Sequence, residues 1–189
     1  MEYKFKIKTI EQIKEEILKE NNQKIEFIED IKISLPELYK EIIIKYENIH
    51  ISSSCEIYSY NTALDITKKS NLDIEEKSIK YWFFGEDYSE GYWVINKNGK
   101  ISYKDCERFS DGKIYNIKNI IDLNINFEQW LQFAYLDFEN EKALEKIFDS
   151  GFDEIILEAM EKETINEYLN LLKELSIELY EFRKGTYIG

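Results

Sequence analysis

Apolar residues near the start of the chain recur at the spacing of one helix face. They fall at i, i+3, i+7 and i+8, with Glu and Lys between them, and they are Ile10, Ile13, Ile17 and Leu18. This stripe is typical of an amphipathic helix. It predicts a helix over residues 9–20, and the spacing continues through residues 25–33, which predicts a short second helix.

A helix-start signal lies in the segment Ser34-Leu35-Pro36-Glu37. Ser34 can cap the first amides, and Glu37 can reach back to it. Pro36 lacks an amide proton, which the first turn of a helix does not need. The segment therefore predicts a third helix that runs to about Glu47.

Beyond His50 the apolar pattern changes from helical to alternating spacing. The predicted segments are a strand at 56–60, a helical turn or two at 63–70, a strand at 80–85 and a strand at 113–117. Residues 91–105 form two alternating runs on either side of Asn98-Gly99, a pair that readily adopts positive φ. They predict a β-hairpin with a primed turn.

The C-terminal third returns to helical spacing. Asn126 and Gln129 have the spacing of a capping pair, and they open a helix with an apolar face. The further predicted segments are short helices at 141–148 and 152–160, separated at Gly151, and a longer helix at 165–182.

These elements together predict an α+β fold, a mostly antiparallel sheet flanked by helices, with a C-terminal helical extension. We expect a domain over residues 1–138. Residues 139–189 form the acidic helical extension, which we expect to pack on the same domain.

Composition excludes several classes of protein. Ile, Leu, Val and Phe supply 57 of the 189 residues, well above the roughly 20% below which chains tend to stay disordered. The net charge is −13, and residues 126–189 contain 15 acidic and 6 basic residues. This charge repels phosphate backbones and anionic lipids, so we expect neither nucleic acid nor a membrane as a direct partner.

No signal peptide or membrane span is legible in the chain. Only two cysteines, Cys55 and Cys106, are present, and without a secretory signal they are expected to be reduced thiols. We therefore predict a cytoplasmic protein, held together without disulfides.

The search for catalytic motifs is negative. The chain lacks a P-loop and the GxGxxG, HExxH, GxSxG and CxxC patterns. His50 is its one histidine, and it is expected to be a surface or capping residue. We predict a protein that is not an enzyme and holds no metal or cofactor, although the many carboxylates leave an acid/base pair open.

The segment from Gly85 to Gly91 concentrates three acids and a tyrosine between two glycines. Such a loop could bind a cation or present a recognition edge. It could equally be a solvated turn whose acids keep it in water.

Three segments in this order resemble the SUKH superfamily, which includes bacterial immunity proteins against polymorphic toxins and fungal cell-wall regulators. Residues 25–46 (IEFIEDIKISLPELYKEIIIKY) resemble its opening helices. Residues 82–107 (WFFGEDYSEGYWVINKNGKISYKDCE) resemble its central strand, Phe-Gly turn, hairpin and acidic end, and residues 126–133 (NFEQWLQF) resemble its closing helix. The resemblance spans residues 9–138.

The family resemblance implies an α+β fold with neither catalysis nor a cofactor. It also implies an immunity protein or antitoxin that binds a cognate toxin, frequently a nuclease. In one departure from the family, Tyr88, Ser89 and Glu90 replace a loop that is often rich in Asp and Gly.

A toxin with a basic substrate cleft would attract acids around the end of the hairpin. The candidate acids are Glu86, Asp87, Glu90, Asp105, Glu107 and Asp111. The candidate aromatic anchors, if exposed, are Tyr88, Trp93 and Tyr103. Two alternatives stay open: a regulatory or scaffold module that binds its partner through the acidic C-terminal helices, and a carboxylate-based hydrolase.

Overall fold

The computed structural model describes residues 4–20, 34–70, 80–87, 91–105 and 120–187. The helices of these residues are α1 (Ile10–Glu20), α2 (Glu37–Lys45), α3 (Tyr60–Ser70), α4 (Phe127–Phe148), α5 (Glu154–Leu175) and α6 (Ile177–Tyr187). The strands are β1 (Ile49–Ser52), β2 (Cys55–Ile57), β3 (Tyr81–Asp87), β4 (Gly91–Asn96), β5 (Ile101–Asp105) and β6 (Ile120–Ile125). The α+β prediction is confirmed.

The six strands form one sheet in which each strand pairs with the next along the chain. The order is β1-β2-β3-β4-β5-β6, and every pair is antiparallel. Antiparallel neighbours can be joined by tight turns, as β1–β2 and β4–β5 are, whereas the connection from β2 to β3 contains α3. The predicted strand at 113–117 and the predicted helix at 25–33 lie outside the described residues.

The β4–β5 hairpin is confirmed, but its predicted primed turn is wrong. Gly99 has φ +73°, whereas the only non-glycine residue of the described segments with positive φ is Asn124. A primed turn would need positive φ at its central residues, which here are Lys97 and Asn98. The Asn96 carbonyl instead accepts the Gly99 amide at 2.9 Å, and Gly99 alone supplies the left-handed residue of a bulge.

Aromatic side chains fill the core between the sheet and α4. The Trp130 ring lies 4.8 Å from Phe84 of β3 and 5.7 Å from Trp93 of β4, both edge-to-face. The predicted capping pair fixes where this helix begins, because Asn126 and Gln129 exchange side-chain hydrogen bonds with each other's amides.

The N-terminal helices begin differently from the prediction. The predicted Ser34 cap is wrong: Pro36 is the N-cap residue of α2, with no side-chain cap bond. Pro36 already has extended backbone, so Glu37 starts the helix one residue after the proline. By contrast, α1 begins with a reciprocal pair that the sequence reading missed, since Thr9 and Gln12 hydrogen-bond each other's amides.

The C-terminal helices are longer than predicted. Helix α4 runs unbroken through residue 138, and the break at Gly151, with φ +71°, is confirmed. The predicted gap between 160 and 165 is wrong, because its residues all favour a helix or tolerate one. The chain breaks instead at Ser176, whose hydroxyl accepts the amides of Glu178 and Leu179.

Side chains from all six helices contribute to one hydrophobic core. The cluster includes Ile13 of α1, Leu38 of α2, Ala63 of α3, Leu172 of α5 and Leu179 of α6, as well as the aromatic residues of α4. The helices after residue 138 therefore share their core with the sheet.

Strands β2 and β3 approach each other so closely at Gly85 that no side chain fits there. We therefore expect even an added methyl group to destabilise the protein. A Cβ at Gly85 would lie 1.9 Å from the backbone oxygen of Glu56, so Gly85→Ala must push β2 and β3 apart. We expect a loss of about 2–4 kcal/mol in the free energy of unfolding, measured by urea titration.

The matched control is Gly185→Ala in α6, where an added Cβ meets nothing within 4 Å. Alanine is the better helix former, so this change should stabilise the protein by about 0.5–1 kcal/mol. Equal effects of the two substitutions would contradict the close approach at Gly85.

Candidate functional site

Strands β3, β4 and β5 bring three of the predicted acids to one end of the sheet. Asp87 pairs with Gly91, and Gly91 in turn pairs with Asp105. Glu86 belongs to the next row of the same sheet, opposite Tyr92. We call this region, with Glu86, Asp87, Gly91 and Asp105, the sheet end.

Two of the three acids at the sheet end are not freely presented to solvent. Asp87 is buried, and the Tyr103 hydroxyl donates to its Oδ2 at 3.4 Å. Tyr103 reaches Asp87 across Gly91, where a Cβ would come within 2.6 Å of the Tyr103 hydroxyl. Glu86 is half-buried, and Asp105 is exposed.

Trp93 and Tyr103 do not have the exposure that the role of aromatic anchor requires. Trp93 has no exposed surface, and Tyr103 is 6% exposed. The indole N–H of Trp93 donates to the Ser54 carbonyl at 2.8 Å, and both rings pack against Phe182 of α6. The anchor prediction for this pair is corrected, because their strand positions face the helices.

Tyr88, Glu90, Glu107 and Asp111 lie outside the described residues.

A row of polar residues crosses the sheet, and the sequence reading missed it. Glu56, Glu86, Tyr92 and Lys104 are successive register partners on β2, β3, β4 and β5, so their side chains share one face. Burial and a hydrogen bond to Glu86 raise the pKa of Tyr58 above its usual range. The Lys104 ammonium is buried 5.3 Å from the centre of the Phe83 ring.

Within the described part of the chain, the most extensive buried polar group centres on Asp137 of α4. The Arg183 guanidinium of α6 lies 2.9 Å from Oδ2, and the Ser52 hydroxyl of β1 donates to the same oxygen at 3.2 Å. The Tyr168 hydroxyl of α5 donates to Oδ1 at 2.7 Å. We call these four residues the Asp137 cluster. Both oxygens of its central carboxylate are hydrogen-bonded, so the charge is buried but satisfied.

The pKa shifts in the Asp137 cluster follow from its burial and its charges. Burial is the largest single influence on the pKa of Arg183 and lowers it, but the Asp137 carboxylate, together with Tyr168, Cys55 and Tyr187, raises that pKa above its usual range. Burial and the same carboxylate raise the pKa of Tyr168 well above normal. The rings of Phe133 and Phe182 lie 5.2 and 5.8 Å from the guanidinium carbon and add a cation–π contribution.

The turn between β1 and β2 is tied to α4 beside the Asp137 cluster. The Ser53 amide donates to both carboxylate oxygens of Glu141, at 3.0 and 3.1 Å, and the Ser53 hydroxyl donates to one of them. Cys55 is a free buried thiol, and burial raises its pKa well above normal. A thiol in this state is a poor nucleophile.

Few of the other described residues could take part in catalysis or bind a metal. His50 is exposed on β1, and Cys106 lies outside the described residues. Among the described residues there is no group of three or more His, Cys, Asp or Glu side chains that could hold a metal ion. In the same part of the chain, no helix combines the length and apolar character needed to span a membrane.

Exposed acids outnumber exposed bases on the helices after the sheet. Of the fifteen acids from Asn126 onward, nine are exposed, whereas four of the six basic residues are exposed. Asp137 is the one buried acid of this set. The C-terminal helices therefore present a strongly negative surface on a well-packed scaffold.

Comparison of the chain with family models, with curated proteins and with solved structures finds no match.

The Asp137 cluster predicts that removing its cation costs far more than breaking a surface pair. Arg183→Met leaves a buried carboxylate without its counterion, and the free energy of unfolding should fall by about 3–5 kcal/mol in a urea titration. The exposed Lys14–Glu41 pair, at 3.1 Å, supplies the control, since Lys14→Met should cost less than about 1 kcal/mol.

A double variant separates the lost charge pair from lost packing. Asp137→Leu with Arg183→Met leaves no unpaired charge, so it should be more stable than Arg183→Met alone. If Arg183→Met lowered the free energy of unfolding no more than Lys14→Met does, the buried pair would contribute no more to stability than a surface pair.

Proposed function

We propose that this protein is an immunity protein that binds a cognate bacterial toxin, such as a nuclease, and neutralises it by stoichiometric occlusion. The observation that carries the proposal is the negative surface of the C-terminal helices, with nine exposed acids against four exposed bases. A nuclease binds its substrate phosphates with a basic cleft. A rigid acidic protein can compete for that cleft without performing any reaction.

The placement of the SUKH-like segments supports the proposal. The part of residues 25–46 that is described contains α2, residues 82–107 contribute β3, β4 and β5, and residues 126–133 open α4. These elements contact one another in a single core: Tyr39 of α2 lies 5.7 Å from Phe84 of β3 and 5.2 Å from Phe127 of α4. The resemblance thus follows the packed centre of the fold rather than scattered surface positions.

The buried chemistry of the chain also favours binding over catalysis. The Asp137 carboxylate uses both oxygens within the fold, and the Cys55 thiol is buried with a raised pKa. What the C-terminal helices offer to solvent is charge and apolar area. Both act through surface complementarity.

Co-expression tests the proposal. The protein should restore growth to cells that express the product of the neighbouring gene in its native locus, and the two should co-purify at a fixed ratio. Rescue without a complex would contradict occlusion. A stable complex with a product that is not toxic would instead favour the regulatory or scaffold module.

Salt dependence tests the electrostatic part of the proposal. Because unlike charges steer the encounter, the association rate should fall at least about tenfold between 50 and 500 mM NaCl, with a smaller change in the dissociation rate. Stopped-flow or surface plasmon resonance measures both rates. An association rate that does not change with salt would contradict steering by the acidic surface.

A further inference from the structure

The connection between α4 and α5 exposes an unusual set of large apolar side chains. Phe148 is 58% exposed, Phe152 48%, Ile155 81% and Ile156 46%. All four fall within residues 148–156, at the point where the helical hairpin turns. Single exposed apolar side chains are ordinary on protein surfaces, whereas a local group of them marks an interaction site.

The same segment is acidic throughout. Residues 148–158, which we call the hairpin tip, contain Asp149, Asp153, Glu154 and Glu158 and no basic residue. All four acids are exposed. The hairpin tip therefore combines exposed apolar side chains with exposed acids interspersed among them along the chain, the two kinds of residue that an interface core and its polar rim require.

The hairpin tip is built on ordered backbone. The Asp149 amide donates to the Glu145 carbonyl at 3.0 Å, which closes the end of α4, and the Asp153 carbonyl accepts the Leu157 amide at 3.0 Å, which opens α5. Gly151 takes the left-handed conformation between them. Below the turn, Ile147 is 1% exposed, so α4 is anchored up to its last turn.

We infer that the hairpin tip is the surface that inserts into the toxin, and that the toxin presents an apolar pocket rimmed by lysine and arginine. This inference rests on the proposed function and adds the contact surface to it. The apolar side chains fill the pocket, and the four acids face its basic rim. At the sheet end, by contrast, Trp93 and Tyr103 are buried and can supply no anchor.

Charge argues against a second copy of this chain as the occupant. In a symmetric dimer the same patch meets itself, so two tips would bring together eight carboxylates with no base among them. Carboxylates that face carboxylates across an interface repel one another. A partner with a basic rim removes this repulsion, which is why we assign the surface to a toxin.

Binding of the neighbouring gene's product, measured by isothermal titration calorimetry, tests the apolar part of the tip. The test variant is Phe152→Ala/Ile155→Ala/Ile156→Ala. The matched control is Leu18→Ala/Ile177→Ala, two apolar residues of similar exposure, 53% and 48%, that lie outside the tip. Because all five side chains are exposed, neither variant should unfold, which circular dichroism checks. We expect the dissociation constant to rise at least about 100-fold for the test variant and less than about threefold for the control.

Charge variants test the rim. Asp149→Asn/Asp153→Asn/Glu154→Gln and Glu163→Gln/Glu174→Gln/Glu181→Gln each remove three exposed acids, so their net charges are equal. We expect the tip set to weaken binding at least about fivefold more than the other set, because only the tip acids face the basic rim.

The outcomes separate the inference from the proposed function. Tight binding and growth rescue that the tip variants leave unchanged would overturn the inference and leave the function standing. No binding by the wild-type protein or any variant would overturn both. Sedimentation equilibrium on the protein alone adds one more outcome: a dimer that the apolar tip variant dissociates would give the surface to a second copy and overturn the inference.

Discussion

The burial of the Asp137 carboxylate is the constraint on which the C-terminal half of the fold depends. A charge in the interior costs several kcal/mol unless it is paired and hydrogen-bonded. Asp137 meets this requirement only because β1, α5 and α6 each bring one donor to it, namely Ser52, Tyr168 and Arg183. Any placement of β1, α5 or α6 that left the carboxylate unpaired would be unstable. The buried charge therefore holds these three elements in one arrangement around α4.

This constraint links the core to the proposed binding surface. The hairpin tip lies at the turn between α4 and α5, and each of these helices contributes a member of the Asp137 cluster. A tip held by two anchored helices loses little conformational entropy when it binds, and such preorganisation strengthens an interface without new contacts. The exposed Phe152 and Ile155 thus depend, for their proposed role, on the buried Asp137 cluster, to which α4 contributes Asp137 and α5 contributes Tyr168.

Local signals in the sequence predicted much of the fold. The Asn126–Gln129 capping pair, the β4–β5 hairpin and the break at Gly151 each depend on residues close in sequence, and all three are confirmed. The features that the sequence did not predict depend on contacts between residues that are distant in the chain. The burial of Trp93 follows from contacts with α4 and α6, and the Asp137–Arg183 pair joins positions 46 apart. A charged residue within the apolar face of α4 was the available signal for that pair. The exposure at the hairpin tip could not be predicted, because Phe152 and Ile155 have the helical spacing of core residues.

Native-state hydrogen exchange tests most directly whether the C-terminal helices and the sheet form one rigid unit. Amides at residues 168–172 of α5 and 93–95 of β4 should exchange with the same free energy of opening, equal to that of global unfolding. The Asp137 cluster predicts this equality because separating α5 or α6 from α4 exposes an unpaired buried charge. If the α5 amides opened at a free energy lower by more than about 2 kcal/mol, the helices would form a separate, weakly attached unit, and a rigid acidic tip would be contradicted.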